Sequence, residues 1–493
     1  MGGGRTARLP LRFLLVATIA LVVSGGGATA QPLRTAIYLE AEAIDSSAAV
    51  AFARTRAAGA SLVRLQLTWS SVAPADRPPG FDPTNPSDPA YHWAAFDDEI
   101  KLAKADGLEP MVSIFVAPAW AERSAGGPAF AGGRDPSPTA LAEFARAAAR
   151  RYSGSFQGLP RIRYWLVWNE PNLSIYLAPQ LKDNVPVSPR WYQQAVNGVA
   201  DAIHSVHPDN VVVAGETAPF RDITPSVLKQ RTDWGPLSFM RAFLCLSKSL
   251  RPTCATRVHF DAWSHHPYTS GGPTHHANYP DDVSLGDLPE MRRVLQAGVR
   301  TGHIVSARPV QFWVTEFSWD TKPPDPKGVP MALAKRWVAE ALYRMWLNGV
   351  SVVTWFQLRD LPLTTSYLQS GLYFGGRPLA STKPKPTLEA FRFPLVAFKS
   401  GLRAVLVWGR TPGGVSARVL VERSFKGGWK ALGTLRSDSN GIFRGRFRTT
   451  TTGSVRARLA STGERSLPFS LRPVPDHFYY PFGNPRLTKP PGK

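Results

Sequence analysis

The sequence has few cysteines and few charged residues for its length. Of 493 residues only two are cysteine, and 19% are Asp, Glu, Lys or Arg, whereas 43% are hydrophobic. Two thiols are too few for a metal site built from several thiolates. Low charge combined with a large apolar fraction excludes a chain that is mostly disordered. The length is sufficient for two globular domains.

Long apolar runs are absent beyond the first thirty residues, so no later segment is expected to cross a bilayer. At the amino terminus, three arginines precede the apolar run LLVATIALVV (14–23), and the tripeptide ATA at 28–30 matches a small-x-small cleavage site. The run is shorter than a membrane span requires. Residues 1–30 are therefore predicted to be a signal peptide, and the protein to be secreted. An uncleaved membrane anchor is the alternative.

The two cysteines are close together in the sequence. Cys245 and Cys254 are expected to form one disulfide in an exported chain, closing a short loop and contributing about 2–3 kcal/mol. A catalytic thiol is not expected, because no histidine motif accompanies either cysteine.

Acidic residues are scarce: 36 Asp and Glu stand against 58 Lys and Arg, which gives a formal charge of +22. Residues 399–493 contain 18 Lys and Arg but 4 Asp and Glu, a net charge of +14. This segment either contacts an anionic cell-envelope polymer or acidic polysaccharide, or it is a solvated spacer, which we prefer. Nucleic-acid binding is not expected of an exported protein without an aromatic-basic motif. The oligomeric state does not follow from the sequence.

Short apolar runs alternate with amphipathic stretches over most of the chain. The amphipathic stretches, such as WAAFDDEIKLAKADG, space their apolar residues by three and four, which is typical of helices with one buried face. Eight strand-helix units in about 360 residues are typical of a (β/α)8 TIM barrel. The eight candidate strands are 35–41, 61–67, 109–115, 162–168, 210–216, 258–264, 310–316 and 351–357.

A doubly wound open sheet is the rival architecture. No G-x-G-x-x-G follows the first candidate strand, which favours the barrel. In a barrel, functional residues are expected in the loops after the carboxyl ends of the strands. Two of these loops are long, 70–92 and 265–285, and both can wall a cleft.

The hydrophobic period changes near residue 399. Beyond it, apolar and polar residues alternate, as in FRGRFR, where Phe443 and Phe447 are predicted to face inward and three arginines outward. Five to seven such strands predict a small all-β sandwich. The predicted organisation is a catalytic barrel at 31–398, a sandwich module at 399–472 and a Pro-rich tail at 473–493.

Two acidic residues stand at matching places in the predicted barrel. Glu170, in WNEP, follows the fourth strand, and Glu316 ends the seventh. Two carboxyl groups that face each other across a pocket are what glycoside hydrolysis requires, one as proton donor and one ionised. For Glu170 alone, a strand-end cap followed by an ordinary Pro171 turn is the structural alternative.

The WNEP motif paired with a later strand-end TE resembles the retaining glycoside hydrolases of clan A. The stretches APAWA (117–121) and WNEPNL (168–173) are most similar to family 39, the xylosidase and iduronidase family, and to its actinobacterial cellulase-like relatives. The resemblance covers the barrel, about three quarters of the chain. The segment from 399 onward is similar instead to bacterial immunoglobulin-like or fibronectin-like modules.

The resemblance implies a role for each matching residue. Glu170 would be the acid/base and Glu316 the nucleophile, with no cofactor. The implied substrate-binding residues are Arg64, which helps keep the nucleophile ionised, Asn169 at the sugar 2-hydroxyl, His266 and Tyr268 beside Glu316, and Trp355 beneath the sugar. Trp120 is a further candidate for substrate binding, because it follows a strand on the predicted active side.

Some of these positions have other readings. His265 could replace His266 in the pocket, although the spacing to Tyr268 favours His266. Trp69, Trp120 and Trp319 could be sugar platforms or simple packing residues. The loop histidines and aspartates at 265, 266, 275, 276, 281 and 282 fit no tight metal-binding motif, so no catalytic metal is expected.

The sequence therefore predicts a secreted retaining glycoside hydrolase, and the expected carbohydrate substrate is a β-linked glycan. Two alternatives remain open: a transglycosidase that uses the same residues, and a carbohydrate-binding protein without turnover. The identity of the sugar and endo or exo action do not follow from the sequence.

Overall fold

The computed structural model describes residues 1–2, 31–39, 47–183, 185–221, 233–363, 368–475, 477, 479 and 488–489. The predicted signal peptide lies almost entirely outside the described residues. Among the helices that are described, none has the length and hydropathy needed to span a bilayer.

Eight parallel strands close into a barrel, which confirms the predicted (β/α)8 fold. Each strand pairs with its neighbour in sequence, and the first pairs with the eighth, so the sheet has no free edge. The strands are β1 (Arg34–Tyr38), β2 (Leu62–Thr68), β3 (Glu109–Phe115), β4 (Tyr164–Val167), β5 (Val211–Thr217), β6 (Ala262–His265), β7 (Gln311–Val314) and β8 (Val350–Trp355).

In the described part of the chain, each barrel strand is followed by one helix of seven or more residues. This helix precedes the next barrel strand or, after the eighth strand, the C-terminal sheets. Several helices end beside a glycine with positive φ, such as Gly59, Gly107, Gly302 and Gly349, as their sequences predict. The helices are α1 (Ala48–Ala57), α2 (Ala94–Ala105), α3 (Pro138–Arg151), α4 (Ser188–Val206), α5 (Pro236–Phe243), α6 (Leu288–Arg300), α7 (Met331–Leu347) and α8 (Pro386–Arg392).

Apolar side chains fill the barrel interior as far as the middle of the strands. Because side chains alternate along a strand, every second residue points inward, and these residues form a separate buried cluster. Its members are Ala36, Leu62, Met111, Tyr164, Leu166, Val211, Val213, Ala262, Trp313 and Val352. Above this cluster, towards the carboxyl ends, the inward positions become polar, which places the chemistry at that end.

The predicted sixth strand is correct only in its second half. Barrel pairing begins at Ala262, whereas Val258–His259 pairs with Ile304–Val305 in a separate two-stranded sheet. Between them, the carboxylate of Asp261 accepts from the backbone N–H of Val212 at 2.9 Å.

After α8, seven strands of the described residues form two antiparallel sheets. One sheet contains β9 (Leu395–Lys399), β10 (Ala404–Arg410) and β13 (Ile442–Arg448). The other contains β11 (Arg418–Phe425), β12 (Gly428–Arg436), β14 (Ser454–Leu459) and β15 (Phe469–Ser470). In β13 the alternation is as predicted: Phe443 is buried and Phe447 half-buried, whereas the arginines at 444, 446 and 448 are exposed. The first strand of the module begins four residues before position 399.

Part of the tail packs against loops at the carboxyl end of the barrel. The backbone N–H of Tyr479 donates to the carbonyl of Ser270 (2.9 Å), and its buried hydroxyl donates to Asp320 (2.6 Å). Residues Thr488–Lys489 pair with His276–Ala277 in the loop after β6. Most of the predicted 473–493 tail lies outside the described residues.

The predicted disulfide is present. Cys245 and Cys254 are bonded, with their Cα atoms 5.2 Å apart, and they close a short loop after α5.

Helix α2 carries a buried acid without an opposite charge, and this predicts how stability depends on pH. Burial raises the pKa of Glu99 to about 8. The folded state therefore binds a proton that the unfolded state has released between the ordinary pKa of 4.5 and 8, so stability falls as the pH rises through this window. We expect Glu99→Gln to increase the free energy of unfolding at pH 9 by about 2–4 kcal/mol, because glutamine cannot ionise.

Urea denaturation of the variant and the wild type at pH 4 and pH 9 measures this effect. The gain should disappear at pH 4, and Asp98→Asn, which changes an exposed neighbour on the same helix, should show no gain at either pH. An equal effect of Glu99→Gln at both values would contradict the assignment.

Candidate active site

Five charged side chains from five barrel strands converge above the apolar interior. Arg64 comes from β2, Glu170 from the loop after β4, Glu216 from β5, His266 from the loop after β6 and Glu316 from the loop after β7. The carboxyl ends of parallel strands meet at one end of a barrel, so residues far apart in the sequence come together there.

Glu170 and Glu316 face each other across His266. The Nδ1 of His266 lies 2.9 Å from Oε1 of Glu170 and 3.7 Å from Oε2 of Glu316. One oxygen of each carboxylate and a ring nitrogen of His266 lie within 4.8 Å of one another. The side chains of the two glutamates are 10% and 14% exposed, so both remain accessible from the barrel mouth.

The backbone at the end of β4 turns Glu170 towards this centre. Trp168 and Glu170 have φ values of 71° and 41°, in the left-handed region that side-chain-bearing residues rarely adopt. The ring of Trp168 packs on Trp191 and does not continue the row of side chains that point into the barrel. The backbone N–H of Glu170 donates to the carbonyl of Glu216 (2.9 Å). Strained backbone of this kind is common where a side chain must be presented for chemistry.

Arg64 links two carboxylates. Its Nη1 lies 2.5 Å from Oε1 of Glu316, and its Nη2 lies 2.7 Å from Oε2 of Glu216. Nη2 also donates to Oδ1 of Asn169 at 3.3 Å, and Nε donates to the hydroxyl of Ser113. The guanidinium is therefore fixed on every side, and it holds the Glu316 carboxylate in one orientation.

Glu216 is the residue that sequence reasoning missed. Val211 and Val213 point into the barrel, so strict alternation assigns the next inward position to residue 215. The pairing register of β5 with β6 shifts between Ala214 and Thr217, and this bulge turns Glu216 inward instead. Gly215, with a φ of 107°, permits the shift, since a Cβ there would meet the carbonyl oxygen of Ser264 at 2.2 Å. The signal that could have found Glu216 is its place at the carboxyl end of a strand.

The carboxylates differ in their protonation. Burial is the main cause that raises the pKa of Glu170 above its ordinary value, and the nearby Glu316 adds to it against the opposing effects of His266 and Arg64. Burial also opposes ionisation of Glu216, but Arg64 and His266 outweigh it and lower the pKa of Glu216 to about 2. At neutral pH Glu216 is an anion, whereas Glu170 is the group biased towards keeping its proton.

The two basic groups are both charged. Burial opposes the charge on His266, but Glu316, Glu170 and Glu216 outweigh it and raise the pKa of the imidazole to about 10. Burial likewise opposes the charge on Arg64, and its two carboxylate partners raise the pKa of the guanidinium above its ordinary value. His266 is thus an imidazolium at neutral pH and a donor to Glu170.

His265, the neighbour of His266, is bonded to groups outside the carboxylate cluster. The Nδ1 of His265 lies 2.9 Å from the hydroxyl of Thr217 and its Nε2 lies 3.0 Å from the carbonyl of Val283. Burial lowers the pKa of His265 to about 3, so this ring is neutral. The structure thus brings His266, and not His265, to the carboxylates. Tyr268 lies where the spacing predicts, with its hydroxyl 3.3 Å from Oε2 of Glu316.

The tryptophans predicted to stack against a sugar are less exposed to solvent than this role leads us to expect. Trp355 is 2% exposed, and its Nε1 donates to the carbonyl of Ser370 (2.8 Å). Trp120 is half-buried in an aromatic cluster with Trp69 and Phe81, and Trp69 and Trp319 are buried. The stacking roles of Trp120 and Trp355 and the 2-hydroxyl contact of Asn169 stay predictions.

The only triad of described residues able to ligate a metal is Glu170, His266 and Glu316. Metal binding requires a neutral imidazole, and the raised pKa of His266 opposes this at neutral pH. The loop residues considered as metal ligands are paired elsewhere: His276 with Asp287, Asp281 with Arg241 and Asp282 with Arg221.

Comparison with solved structures finds several that are similar to this chain. A family 39 glycoside hydrolase from the gut symbiont Bacteroides cellulosilyticus WH2 is 16% identical, with a TM-score of 0.51 over 85% of this chain and 81% of that chain. A monomeric β-xylosidase from Caulobacter crescentus CB15 is 15% identical, with a TM-score of 0.49 over 85% and 97%. A GH30 endoxylanase from Clostridium papyrosolvens C71 is 12% identical, with a TM-score of 0.42 over 85% and 94%.

No model of a known protein family matches the sequence, and no curated protein is significantly similar to it. At 16% identity, the likeness to the family 39 protein identifies a shared fold, and what the site does must be argued from its own geometry.

The shared guanidinium predicts a large effect on stability. Arg64→Met leaves two carboxylates, Glu216 and Glu316, without their common cation in a buried site. We expect the free energy of unfolding at pH 7 to fall by about 3–5 kcal/mol. The loss should be smaller at pH 4, because an unpaired buried carboxylate can then take up a proton.

Denaturant unfolding at the two pH values tests this prediction. Arg161→Met, which breaks a partly exposed pair with Asp209, is the matched control and should cost about 1 kcal/mol or less. Equal losses for the two variants would contradict the role given to Arg64.

Proposed function

We propose that this protein is a secreted glycoside hydrolase that cleaves O-glycosidic bonds of a β-linked oligo- or polysaccharide with retention of configuration. The observation that carries the proposal is the pair Glu170 and Glu316, which share His266 at 2.9 and 3.7 Å and remain partly exposed at the barrel mouth. The family 39 likeness supports the fold, and the β-linkage is taken from the resemblance of the WNEP and TE motifs.

The proposed acid is Glu170. A proton donor at neutral pH requires a carboxyl group with a raised pKa, and burial and Glu316 raise the pKa of Glu170. In the first step its proton passes to the glycosidic oxygen as the bond to the anomeric carbon breaks. His266 and the turn after β4 hold the carboxyl group in place.

The proposed nucleophile is Glu316. Arg64 fixes one of its oxygens at 2.5 Å, and the hydroxyl of Tyr268 lies 3.3 Å from the other. An oxygen of Glu316 attacks the anomeric carbon and forms a glycosyl ester. Glu170, now a carboxylate, then takes a proton from water as this water attacks the anomeric carbon. The bond from that carbon to Glu316 breaks, which releases the sugar and restores the Glu316 carboxylate.

Retention is supported by the closeness of the carboxyl groups. Retaining enzymes hold them about 5–5.5 Å apart, whereas inverting enzymes leave about 6.5–9.5 Å for a water molecule. One oxygen of Glu170 lies within 4.8 Å of one oxygen of Glu316, which is compatible with the retaining geometry.

Export is part of the proposal. The amino-terminal pattern at 1–30 and the disulfide between Cys245 and Cys254 both support an extracellular location. For the basic module from 399 onward, we favour a spacer over a site that binds anionic cell-envelope polymer. Binding of the isolated wild-type protein to anionic and neutral cell-wall fractions separates these two possibilities.

Azide rescue tests the roles of the two glutamates. With a panel of nitrophenyl β-glycosides, Glu170→Ala and Glu316→Ala are each expected to lower kcat about 10³-fold or more. Azide should restore turnover in both variants. The Glu316 variant should give a glycosyl azide of inverted configuration, and the Glu170 variant one of retained configuration, because azide replaces the nucleophile in the first and water in the second.

Glu290→Gln, a change on the exposed face of α6, is the control and should leave kcat unchanged. A wild-type kcat in either alanine variant would contradict the catalytic role assigned to the substituted glutamate. Tight glycan binding with no turnover of any glycoside would favour a binding protein, and transfer to sugar acceptors in place of water would favour a transglycosidase.

The proposed role of Glu170 as the acid predicts how kcat/KM depends on pH on the alkaline side of its optimum, the alkaline limb of the profile. The active form of Glu170 is protonated, so kcat/KM should fall as the pH rises through its raised pKa, which lies above the ordinary value of 4.5. The limb should be clear with a phenyl glycoside, whose leaving group needs the proton, and weak with a dinitrophenyl glycoside. Identical limbs for both substrates would contradict the role of Glu170.

A further inference from the structure

Glu216 is a buried carboxylate beside the catalytic pair, and the reaction proposed above gives it no task. Its side chain is 0% exposed, so it cannot touch a substrate. Donors hold both of its oxygens: Arg64 at 2.7 Å on Oε2, and the hydroxyls of Thr315 (2.6 Å) and Ser264 on Oε1. Burial of a carboxylate costs several kcal/mol unless it is paired in this way, so its presence needs an explanation.

The cations around Glu216 also reach the catalytic glutamates. Arg64 places Nη2 on Glu216 and Nη1 on Glu316. His266 places Nδ1 on Glu170, while its Nε2 points to Oε2 of Glu216 at 3.7 Å. Each cation therefore extends from Glu216 at the back of the site to one catalytic glutamate at the front.

We propose that Glu216 is a positioning residue: it orients Arg64 towards Glu316 and His266 towards Glu170, and it supplies the negative charge that balances the second of these cations. The catalytic meaning of this inference rests on the proposed function. The geometry behind the inference, in which Glu216 lies next to both Arg64 and His266, is independent of the proposed function.

Charge balance gives the inference a measurable consequence. Two cationic side chains, Arg64 and His266, lie among three carboxyl groups, and Glu216 is placed next to both cations. Without the charge of Glu216 the cluster carries one negative charge fewer, which favours the ionised form of Glu170. The acid would then lose its proton at a lower pH.

Among the described residues, the other titratable groups that face the cluster are tyrosines and His265, whose ring is neutral because burial lowers its pKa to about 3. Tyr38 lies under Arg64, Tyr192 accepts from the N–H of Gly215, and Tyr268 contacts Glu316. Burial raises the pKa of Tyr192 and Tyr268 well above the ordinary value, so neither contributes a charge at neutral pH. Glu216, with its pKa lowered to about 2, stays ionised over the working range.

A pair of substitutions separates the charge of Glu216 from its shape. Glu216→Gln keeps the shape and removes the charge, and we expect the alkaline limb of kcat/KM to move down by about one pH unit. Near the wild-type limb, kcat/KM should fall about tenfold. Glu216→Asp keeps the charge, so its limb should stay at the wild-type position even where the shorter side chain lowers kcat.

A purely structural role makes a different prediction. It lowers activity by the same factor at every pH, and the limb does not move in Glu216→Gln. That result, or an equal shift in the Gln and Asp variants, would overturn the inference. Thr315→Val removes one donor from Glu216 without changing its charge, and it should also leave the limb in place.

Nuclear magnetic resonance titration without substrate decides the inference even where no glycoside is hydrolysed. In wild-type protein labelled at glutamate carboxyl carbons and histidine nitrogens, Glu216 should remain ionised from pH 4 to 9, and His266 should remain protonated at pH 8. In Glu216→Gln the pKa of His266 should fall. A protonated Glu216 at neutral pH, or an unchanged His266, would refute the charge-balancing role. Absence of turnover with this titration intact would refute the hydrolase proposal alone.

Discussion

The guanidinium of Arg64, shared between Glu216 and Glu316, is the interaction on which the site depends. A buried cation is tolerated only when its donors are satisfied, and here each end of the guanidinium meets a carboxylate at 2.7 Å or less. The shared pairing holds the proposed nucleophile in one orientation. His266 lies on the other side, between Glu216 and the proposed acid Glu170. Its Nδ1 is 2.9 Å from Glu170, whereas its Nε2 is 3.7 Å from Glu216, beyond hydrogen-bond distance. Burial and the nearby Glu316 raise the pKa of Glu170, which makes this carboxyl group the proposed proton donor.

The barrel makes this network possible because it ends eight strands at one place. Apolar side chains occupy the inward positions up to the middle of the strands, and the same inward rows continue as Arg64 and Ser264 nearer the carboxyl ends. Two departures from regular backbone complete the site. The left-handed residues at the end of β4 aim Glu170, and the bulge at Gly215 turns Glu216 inward. In both cases the irregularity lies next to the group that it orients.

The sequence predicted much of the fold and of the site, and the failures have physical reasons. Hydrophobic period and helix stops located the eight barrel units, because burial on one face leaves a strong pattern. Glu170, Glu316, Arg64, His266 and Tyr268 were found from motifs, and the structure brings them together. Glu216 was missed because alternation assigns it outward, and a bulge is not visible in a period-two pattern. The early start of strand 6 was wrong because residues 258–259 pair with residues 304–305 in a separate sheet outside the barrel.

The most direct test of the account is the covalent intermediate itself. A 2-deoxy-2-fluoro glycoside with a good leaving group slows hydrolysis of the glycosyl ester, so the sugar should accumulate on the protein. Mass spectrometry of the intact chain and of its peptides should then find one sugar per molecule, attached to Glu316. A label on Glu170 or Glu216, or a substrate that is hydrolysed with no ester to any carboxylate, would contradict the central claim.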